Sequence, residues 1–221
     1  MDMVLRSILS LFLIIIAGVF GRKRNIITPE ANKGMIDLLL RILLPFMIVS
    51  SFSFSYDDSI KANVVKAFYF SFIAYIIIIG ISILLTKPIK DEKRIILHFA
   101  NVFTNTGYIG FPILNVIYGP EAVIYGSIFN MFFVLFLWSY GIMIFKGRMA
   151  KEELKKEIIK ALLNPSVIAV YIGVAMMVFN LKFPEVVLNS IKSVGNMTGP
   201  LSMIIVGAIF ADVNIKSHLK D

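Results

Sequence analysis

Residues Asn101–Pro112 read NVFTNTGYIGFP, and they interrupt an apolar run, Ile95–Ile117, that is long enough to cross a lipid bilayer. A proline cannot donate a backbone hydrogen bond and crowds the carbonyl group four residues earlier, whereas glycine lets the chain leave helical geometry at little cost. Gly107, Gly110 and Pro112 therefore predict a helix that is broken near the middle of the bilayer.

A broken helix at this depth is typical of a substrate site. Backbone that is not helical is tolerated in a membrane only where protein or a water-filled cavity satisfies it, and such breaks recur at the binding sites of transporters. We expect the half-helix that starts near Pro112 to present free N–H groups and a positive dipole end, which suit an anion. Asn105 and Thr106 would add side-chain hydrogen bonds. The alternative is a proline kink packed against neighbouring helices, with Asn105 bonded to one of them.

The composition extends this interpretation to the whole chain. Hydrophobic residues make up 58% of the sequence and charged residues 16%, and the mean hydropathy is +0.84. This is more apolar surface than a soluble core can bury, so the excess must face lipid. The sequence predicts an all-α integral membrane protein with seven transmembrane helices, each near the roughly 20 residues that a span requires. The seven apolar runs are Val4–Phe20, Gly34–Phe54, Val64–Leu85, Ile95–Ile117, Ala122–Phe145, Leu162–Asn180 and Ile191–Phe210.

Several function classes are disfavoured by residues that the sequence lacks. There is no cysteine, and the two histidines, His98 and His218, are far apart, so neither a metal site nor thiol chemistry is expected. No Ser/His/Asp or paired-acid pattern lies at membrane depth, and we expect neither catalysis nor a cofactor. The net charge of +8 is explained by topology and anionic lipid head groups rather than by binding to nucleic acid.

The distribution of basic residues predicts the orientation. Sixteen of the 22 lysines and arginines lie in the connections after spans one, three and five and in the C-terminal tail. By the positive-inside tendency, this multi-pass protein of the cell membrane has its N-terminus outside and its C-terminus in the cytoplasm. The mixed charges of residues 146–160, KGRMAKEELKKEIIK, predict a cytoplasmic linker with a short interfacial helix that joins residues 1–145 to residues 161–221.

Two local patterns have simple structural interpretations. Asp37 precedes Arg41 by four residues near the inner end of span two, which favours a local ion pair over a coupling site. Proton coupling through a buried carboxylate is therefore not supported. Asn164 and Pro165 are expected to start span six, with the asparagine as cap and the proline in the first helical position.

The segments Leu40–Phe54 and Gly195–Phe210 resemble each other. Each has a proline, Pro45 or Pro200, followed by a Met-Ile-rich apolar core and small residues. Because span two and span seven cross in opposite directions, equivalent helices at these positions would form an inverted repeat. Chance likeness between two apolar segments is the alternative.

These motifs together resemble the auxin efflux carrier family, which includes malate-permease-like proteins and the PIN-FORMED carriers. The resemblance covers essentially the whole chain and rests on LLPFMIVSSF, NTGYIGFPIL, YGPEAVIYGSIFN, LLNPSVIAVYIG and TGPLSMIIVGAIFAD. It implies two inverted five-helix repeats in which the fourth helix of each is broken and crosses the other at the substrate site. Asn105 and Pro112 match the Asn and Pro of the family's crossover pattern.

By this resemblance the chain holds a complete first repeat, residues 1–145, and only the first two helices of the second, residues 161–221. The expected function is secondary transport of small organic anions across the membrane. We also expect this chain alone not to transport, and to pair with a second copy or with helices supplied in trans. A non-transporting fragment or scaffold, or a related ion exchanger or channel, is the alternative.

The predicted site residues are drawn from the broken span and from span five. Asn130 could line the pathway, although an interhelical hydrogen bond is the simpler role for it. The predicted substrate-binding residues are Asn101, Asn105, Thr106, Tyr108, Gly110, Pro112 and Asn130, and the predicted hinge residues are Pro45, Gly107 and Pro200.

The orientation predicts how two single-cysteine variants are labelled. Ser59→Cys lies between spans two and three and should react with an impermeant thiol reagent added outside, whereas Lys90→Cys should react only from inside. The parent chain has no cysteine and is the blank. Labelling from the opposite sides would overturn both the orientation and the inverted repeat.

Overall fold

The computed structural model describes residues 2–53, 58–89, 92–104, 106–147 and 150–213, and over these ranges the chain is helical and forms no strand. The prediction of an all-α protein is confirmed. The α-helices are α1 (Asp2–Lys23), α2 (Pro29–Leu38), α3 (Leu44–Ser51), α4 (Asp58–Thr86), α5 (Glu92–Val102), α6 (Phe111–Tyr118), α7 (Pro120–Phe136), α8 (Ile142–Lys146), α9 (Lys151–Leu162), α10 (Pro165–Phe179), α11 (Glu185–Asn196) and α12 (Thr198–Asp212).

Within the described ranges, four helical stretches are long and apolar enough to cross a membrane: Pro29–Ser51, Ile60–Thr86, Pro120–Lys146 and Glu185–Asp212. A fifth is added if α9 and α10, which meet at a bend of 58°, form one span. The predicted first and fourth spans include residues that are described only in part or not at all, so the count of seven stays a prediction. The helix expected in the linker is present as α9.

Two of the long helical segments contain a widened π turn immediately before a proline. The first π turn, Leu39–Leu43, precedes Leu44 and Pro45, and the second, Thr106–Gly110, precedes Phe111 and Pro112. Each proline ring would crowd the carbonyl group four residues earlier, and that carbonyl lies inside the wider turn. The π turn thus lets the helix continue through the proline.

This geometry corrects the predicted position of the helix break. α5 ends at Val102, and helical backbone resumes at Thr106 and continues to Tyr118. Gly110 has right-handed helical dihedral angles, φ −61° and ψ −52°. The expectation that a half-helix starts near Pro112 is therefore wrong, because the second π turn accommodates the proline and the half-helix starts at Thr106.

Helices α1 and α12 pack closely through glycine. A Cβ atom added at Gly18 would overlap the carbonyl oxygen of Ile204, and one added at Gly207 would overlap the carbonyl oxygen of Ile15. Both neighbours are backbone atoms and cannot rotate away. Close approach through small residues is the usual way in which helices associate in lipid, where no hydrophobic force draws them together.

The two helices run in the same direction, because Leu11 lies beside Pro200 at one end of the pair and Arg22 contacts Asp212 at the other. Gly18 meets Ile204, and further along, Nε of Arg22 lies 2.9 Å from a carboxylate oxygen of Asp212. Spans one and seven are parallel in the predicted topology, and the packing of α1 on α12 has this relative direction.

The main apolar core lies where α3, α7 and α10 meet. Ile48, Ile128 and Val167 are fully buried there, and the ring of Phe52 lies so close to Gly173 that no side chain would fit at that glycine. This packing fixes α7, the helix that faces the broken span.

Both local predictions from the sequence are confirmed. A carboxylate oxygen of Asp37 lies 3.4 Å from Nε of Arg41, and both side chains are exposed. The amide oxygen of Asn164 accepts a hydrogen bond of 3.0 Å from the backbone N–H of Ser166, and Pro165 is the first residue of α10.

The close packing at Gly207 between α1 and α12 predicts how an added methyl group changes the stability of the protein. Gly207→Ala should lower the free energy of unfolding by about 1–3 kcal/mol, because the added carbon meets backbone that cannot give way. Gly80→Ala in α4 is the matched control, since its added carbon has no neighbour within 4 Å. Unfolding in detergent by a graded increase in SDS measures both, and equal stability of the two variants would contradict the packing.

Candidate transport site at the helix break

The break in the fourth predicted span is joined to α7 by a hydrogen bond. The hydroxyl of Thr106, the first residue of the half-helix, donates to the amide oxygen of Asn130 over 3.1 Å. Asn130 is 5% exposed, so this contact satisfies a buried polar group. Because the hydroxyl engages the amide oxygen, the N–H donors of Asn130 are the groups that it can offer to an anion.

The backbone at the start of the half-helix is also satisfied locally. The N–H of Thr106 donates to the carbonyl oxygen of Thr104 over 2.9 Å. The amides that follow belong to the first turn of a helix and have no helical carbonyl to bond, so this end carries partial positive charge.

An open cavity of about 560 Å³ lies beside the break, between α4, the second π turn with α6, and α7. This volume lies within the range of about 300–1,000 Å³ that is typical of small-molecule sites. Its walls are mostly apolar, with hydroxyl groups at three positions. The lining residues are Ala67, Phe70, Ser71, Ala74, Thr106, Gly110, Phe111, Leu114, Ala122, Tyr125, Gly126 and Phe129.

None of the described residues that line this cavity is charged. The nearest acid along α7 is Glu121, which accepts a hydrogen bond of 2.7 Å from the hydroxyl of Tyr125. A bound anion would therefore depend on amide and hydroxyl donors and on the helix end at Thr106 rather than on a cationic side chain.

A separate cavity of about 270 Å³ lies next to Pro112 and Pro200. Pro112 and Pro200 both line it, with Asn115 and Asn196 as polar neighbours, so α6 and the junction of α11 with α12 meet there. Pro45 lines a third cavity, about 340 Å³ between α3 and α10, whose described walls are entirely apolar and offer no group for a charged substrate.

The predicted site residues are thus only partly brought together. Thr106 and Gly110 line the cavity at the break and Asn130 bonds to Thr106, but Pro112 is buried against the second cavity. Asn101 is exposed on α5. Asn105 lies outside the described residues; Gly107 and Tyr108 lie in the second π turn, and the side chain of Tyr108 is outside the described part.

Sequence reasoning missed the small residues that make room for the cavity. Ala67, Ser71 and Ala74 follow one face of α4 at spacings of four and three residues, and Ala122 and Gly126 repeat this pattern on α7. The signal was in the sequence, because small residues at helical spacing in an otherwise bulky span leave space on one face.

The described residues hold no group of three or more His, Asp or Glu side chains that could bind a metal ion. The site consists of helix ends, hydroxyl and amide groups.

The family model described as membrane transport protein matches residues 3–220. An uncharacterized transporter of Methanocaldococcus jannaschii is 25% identical over 210 residues, which cover 90% of this chain and 67% of that protein.

The contact between Thr106 and Asn130 predicts a measurable coupling. In a double-mutant cycle of Thr106→Val and Asn130→Leu, the two changes should be non-additive in unfolding free energy by about 0.6 kcal/mol and by at most about 1.7 kcal/mol. Thr104→Val replaces an exposed neighbour and should show no coupling to Asn130. If the effects of Thr106→Val and Asn130→Leu are additive, the hydrogen bond between Thr106 and Asn130 does not contribute to stability and the prediction is wrong.

Proposed function

The chain belongs to the membrane transport protein family, the group of auxin efflux and malate-permease-like carriers, and we propose that it is a secondary carrier of small organic anions. The observation that carries this proposal is the helix break beside the 560 Å³ cavity, with Thr106 of the break bonded to Asn130. A break at membrane depth is tolerated only where protein or a water-filled cavity satisfies the backbone, and such breaks recur at the substrate sites of transporters because they free amide donors that a continuous helix would use internally.

The polarity of the site favours an anion over a cation. The half-helix presents its N-terminal end at Thr106, and a helix N-terminus stabilises negative charge by roughly 0.3–1 kcal/mol, and by more in partly buried geometry. The amide N–H groups of Asn130 are neutral donors for a carboxylate, and the hydroxyl of Thr106, which donates its hydrogen to the amide oxygen of Asn130, holds that amide in place. We propose that Asn105, next to Thr106 in the chain, contributes a further amide.

The apolar walls favour a substrate with a carbon skeleton over an inorganic anion. Phe70, Phe111 and Phe129 provide aromatic surface. The alanines and Gly126 of the wall leave space for the substrate beside these rings. Burial of apolar area contributes about 25 cal/mol per Å². The carboxylate of a small carboxylic acid would accept hydrogen bonds from the donors at the break, and its carbon skeleton would pack against the aromatic wall.

We also propose the topology and repeat organisation predicted from the sequence, with the N-terminus outside and residues 161–221 as part of an inverted second repeat. Two features support it. The parallel packing of α1 on α12 is the direction that this topology requires. Furthermore, a Cβ atom added at Gly195 would lie 2.8 Å from Cα of Met47, so the two proline segments that resemble each other also touch.

Transport by purified protein in liposomes tests the carrier function. A labelled C4 dicarboxylate and a labelled aromatic monocarboxylate should each be offered, because each combines a carboxylate for the donors at the break with a carbon skeleton for the apolar walls. We expect saturable uptake of at least one, with counterflow when unlabelled substrate is loaded inside, in liposomes in which the chain is paired with a second copy or with helices supplied in trans, and no uptake by the unpaired chain. Absence of uptake by the paired protein would favour a scaffold, and flux that does not saturate would favour a channel.

Substitution of Asn105 gives the sharpest prediction for the site. Asn105→Ala should weaken substrate binding by about 1–3 kcal/mol, the usual loss for a hydrogen bond to a charged group, which corresponds to an increase of about 5- to 150-fold in the half-saturating concentration. Asn189→Ala is the matched control, because Asn189 is an exposed asparagine of α11 that does not line the cavity at the break. Equal affinities of Asn105→Ala and the parent would assign Asn105 to packing.

A further inference from the structure

His98 is a buried histidine held between two other elements of the fold. Its Nδ1 lies 2.7 Å from the hydroxyl oxygen of Ser82 in α4, and its Nε2 lies 2.8 Å from the hydroxyl oxygen of Tyr140. His98 is 9% exposed and Ser82 is 2% exposed. Tyr140 belongs to a third π turn, Leu137–Gly141, which connects α7 to α8. Both ring nitrogens therefore have a hydroxyl partner.

The hydrogen bonds fit both the neutral and the protonated ring. In the neutral form the hydroxyl of Ser82 donates to Nδ1, and Nε2–H donates to the oxygen of Tyr140. When a proton binds Nδ1, Nδ1–H donates to the oxygen of Ser82, whose hydrogen turns to the carbonyl oxygen of His98, 3.3 Å away. The added proton leaves no ring N–H without an acceptor, and only one hydroxyl has to rotate.

The groups around the ring are mainly neutral. On α4, Thr86 donates to the carbonyl oxygen of Ser82 over 2.7 Å, and on the third π turn Tyr140 is the titratable partner. Arg94, one turn earlier on α5, is the charged group whose field reaches the ring.

The described charged groups at the ends of the neighbouring helices, Lys87 and Lys146, are not among the contacts of the His98 ring. Lys87 follows α4 and is exposed, and Lys146 at the end of α8 bonds Glu153 over 3.1 Å. The side chain of Glu92 and residue Asp91 lie outside the described part. Among the described contacts of the ring there is no carboxylate.

This cluster is attached to the helix break. His98 lies four residues before Val102, where α5 ends. On the third π turn, Gly141 is next to Tyr140, and a methyl group added there would come within 3.1 Å of the ring of Phe103, the first residue of the break. The third π turn thus contacts the first half of the broken span, α5 and Phe103, at two points. No proline follows it, and π turns of this kind are frequent at functional sites.

We propose that Ser82, His98 and Tyr140 form a proton-binding site, and that binding of a proton at His98 shifts α5 against the third π turn and so changes the helix break. The ligand is a single proton, taken from water onto Nδ1 and returned to water on release, with no covalent change. An imidazole changes charge in the physiological pH range, so it can perform a coupling for which the described residues offer no fully buried Asp or Glu side chain. The coupling of this proton to transport rests on the proposed carrier function, whereas proton binding itself does not.

Proton binding can be measured directly, because the chain has two histidines. In the full chain labelled with ¹⁵N-histidine and placed in lipid nanodiscs, the His98 signals should titrate reversibly between about pH 5 and pH 8. His98→Gln assigns the signals, and His218 is the internal reference. Signals of His98 that stay constant over this range would overturn the proposal.

The proposed shift of α5 against the third π turn can be followed by tryptophan fluorescence. Trp138 is the single tryptophan, is 39% exposed and lies in the third π turn two residues from Tyr140. Its fluorescence should change with pH at the midpoint of the His98 titration, and this change should be lost in His98→Gln and in Tyr140→Phe. Tyr171→Phe in α10 is the control and should keep it. A pH profile that is the same in the parent and in both variants would contradict the shift, and would leave His98 as a structural residue.

In liposomes in which the chain is paired with a second copy or with helices supplied in trans, an imposed pH gradient should stimulate uptake by the parent but not by His98→Gln, whose counterflow should persist. Titration of His98 without any transport would refute the carrier function and leave the proton site in place. Equal stimulation of both proteins would refute the coupling alone.

Discussion

The helix break between Val102 and Thr106 is the constraint on which the arrangement of the surrounding helices depends. In a bilayer, backbone groups that lose their helical partners must find others within the protein. The N–H of Thr106 turns back to the carbonyl of Thr104, and its hydroxyl reaches the buried amide of Asn130 on α7. Because α7 also forms the core with α3 and α10, the break is supported by the main apolar core of the described chain.

The π turns explain how the same span can be broken and still contain a helical proline. A proline in an α-helix usually ends or kinks it, but the wider turn at Thr106–Gly110 removes the clash and the helix continues through Pro112. The half-helix therefore starts at Thr106, and its positive end lies at the cavity wall instead of being buried beside Pro112. The same combination at Leu39–Leu43 and Pro45 indicates that it is a general solution in this chain.

The sequence predicts features that depend on local chemistry and misses those that depend on packing between distant elements. Helix type, the existence of the break, the cap at Asn164 and the pair of Asp37 with Arg41 follow from spacing and side-chain type. Thr106 and Asn130 were predicted separately, but their contact required the fold. The start of the half-helix was misjudged because glycine and proline indicate a break without fixing its position. His98 had no partner at a readable spacing, since Ser82 and Tyr140 are 16 and 42 residues away.

The absence of charge along the described cavity wall has a consequence for how a carrier of anions works. An anion that leaves water for such a cavity loses hydration and gains only dipoles in return, so its affinity at depth is limited by desolvation. A positive charge on the broken span would offset this desolvation cost. If the charge appears when the anion binds and disappears when the anion leaves, the affinity is raised for binding and lowered again for release. A fixed lysine or arginine in the cavity would hold the anion equally on both sides of the membrane. An imidazole on α5, linked through Tyr140 to the third π turn whose Gly141 packs on Phe103, provides a charge that depends on the proton concentration of the side to which it is exposed.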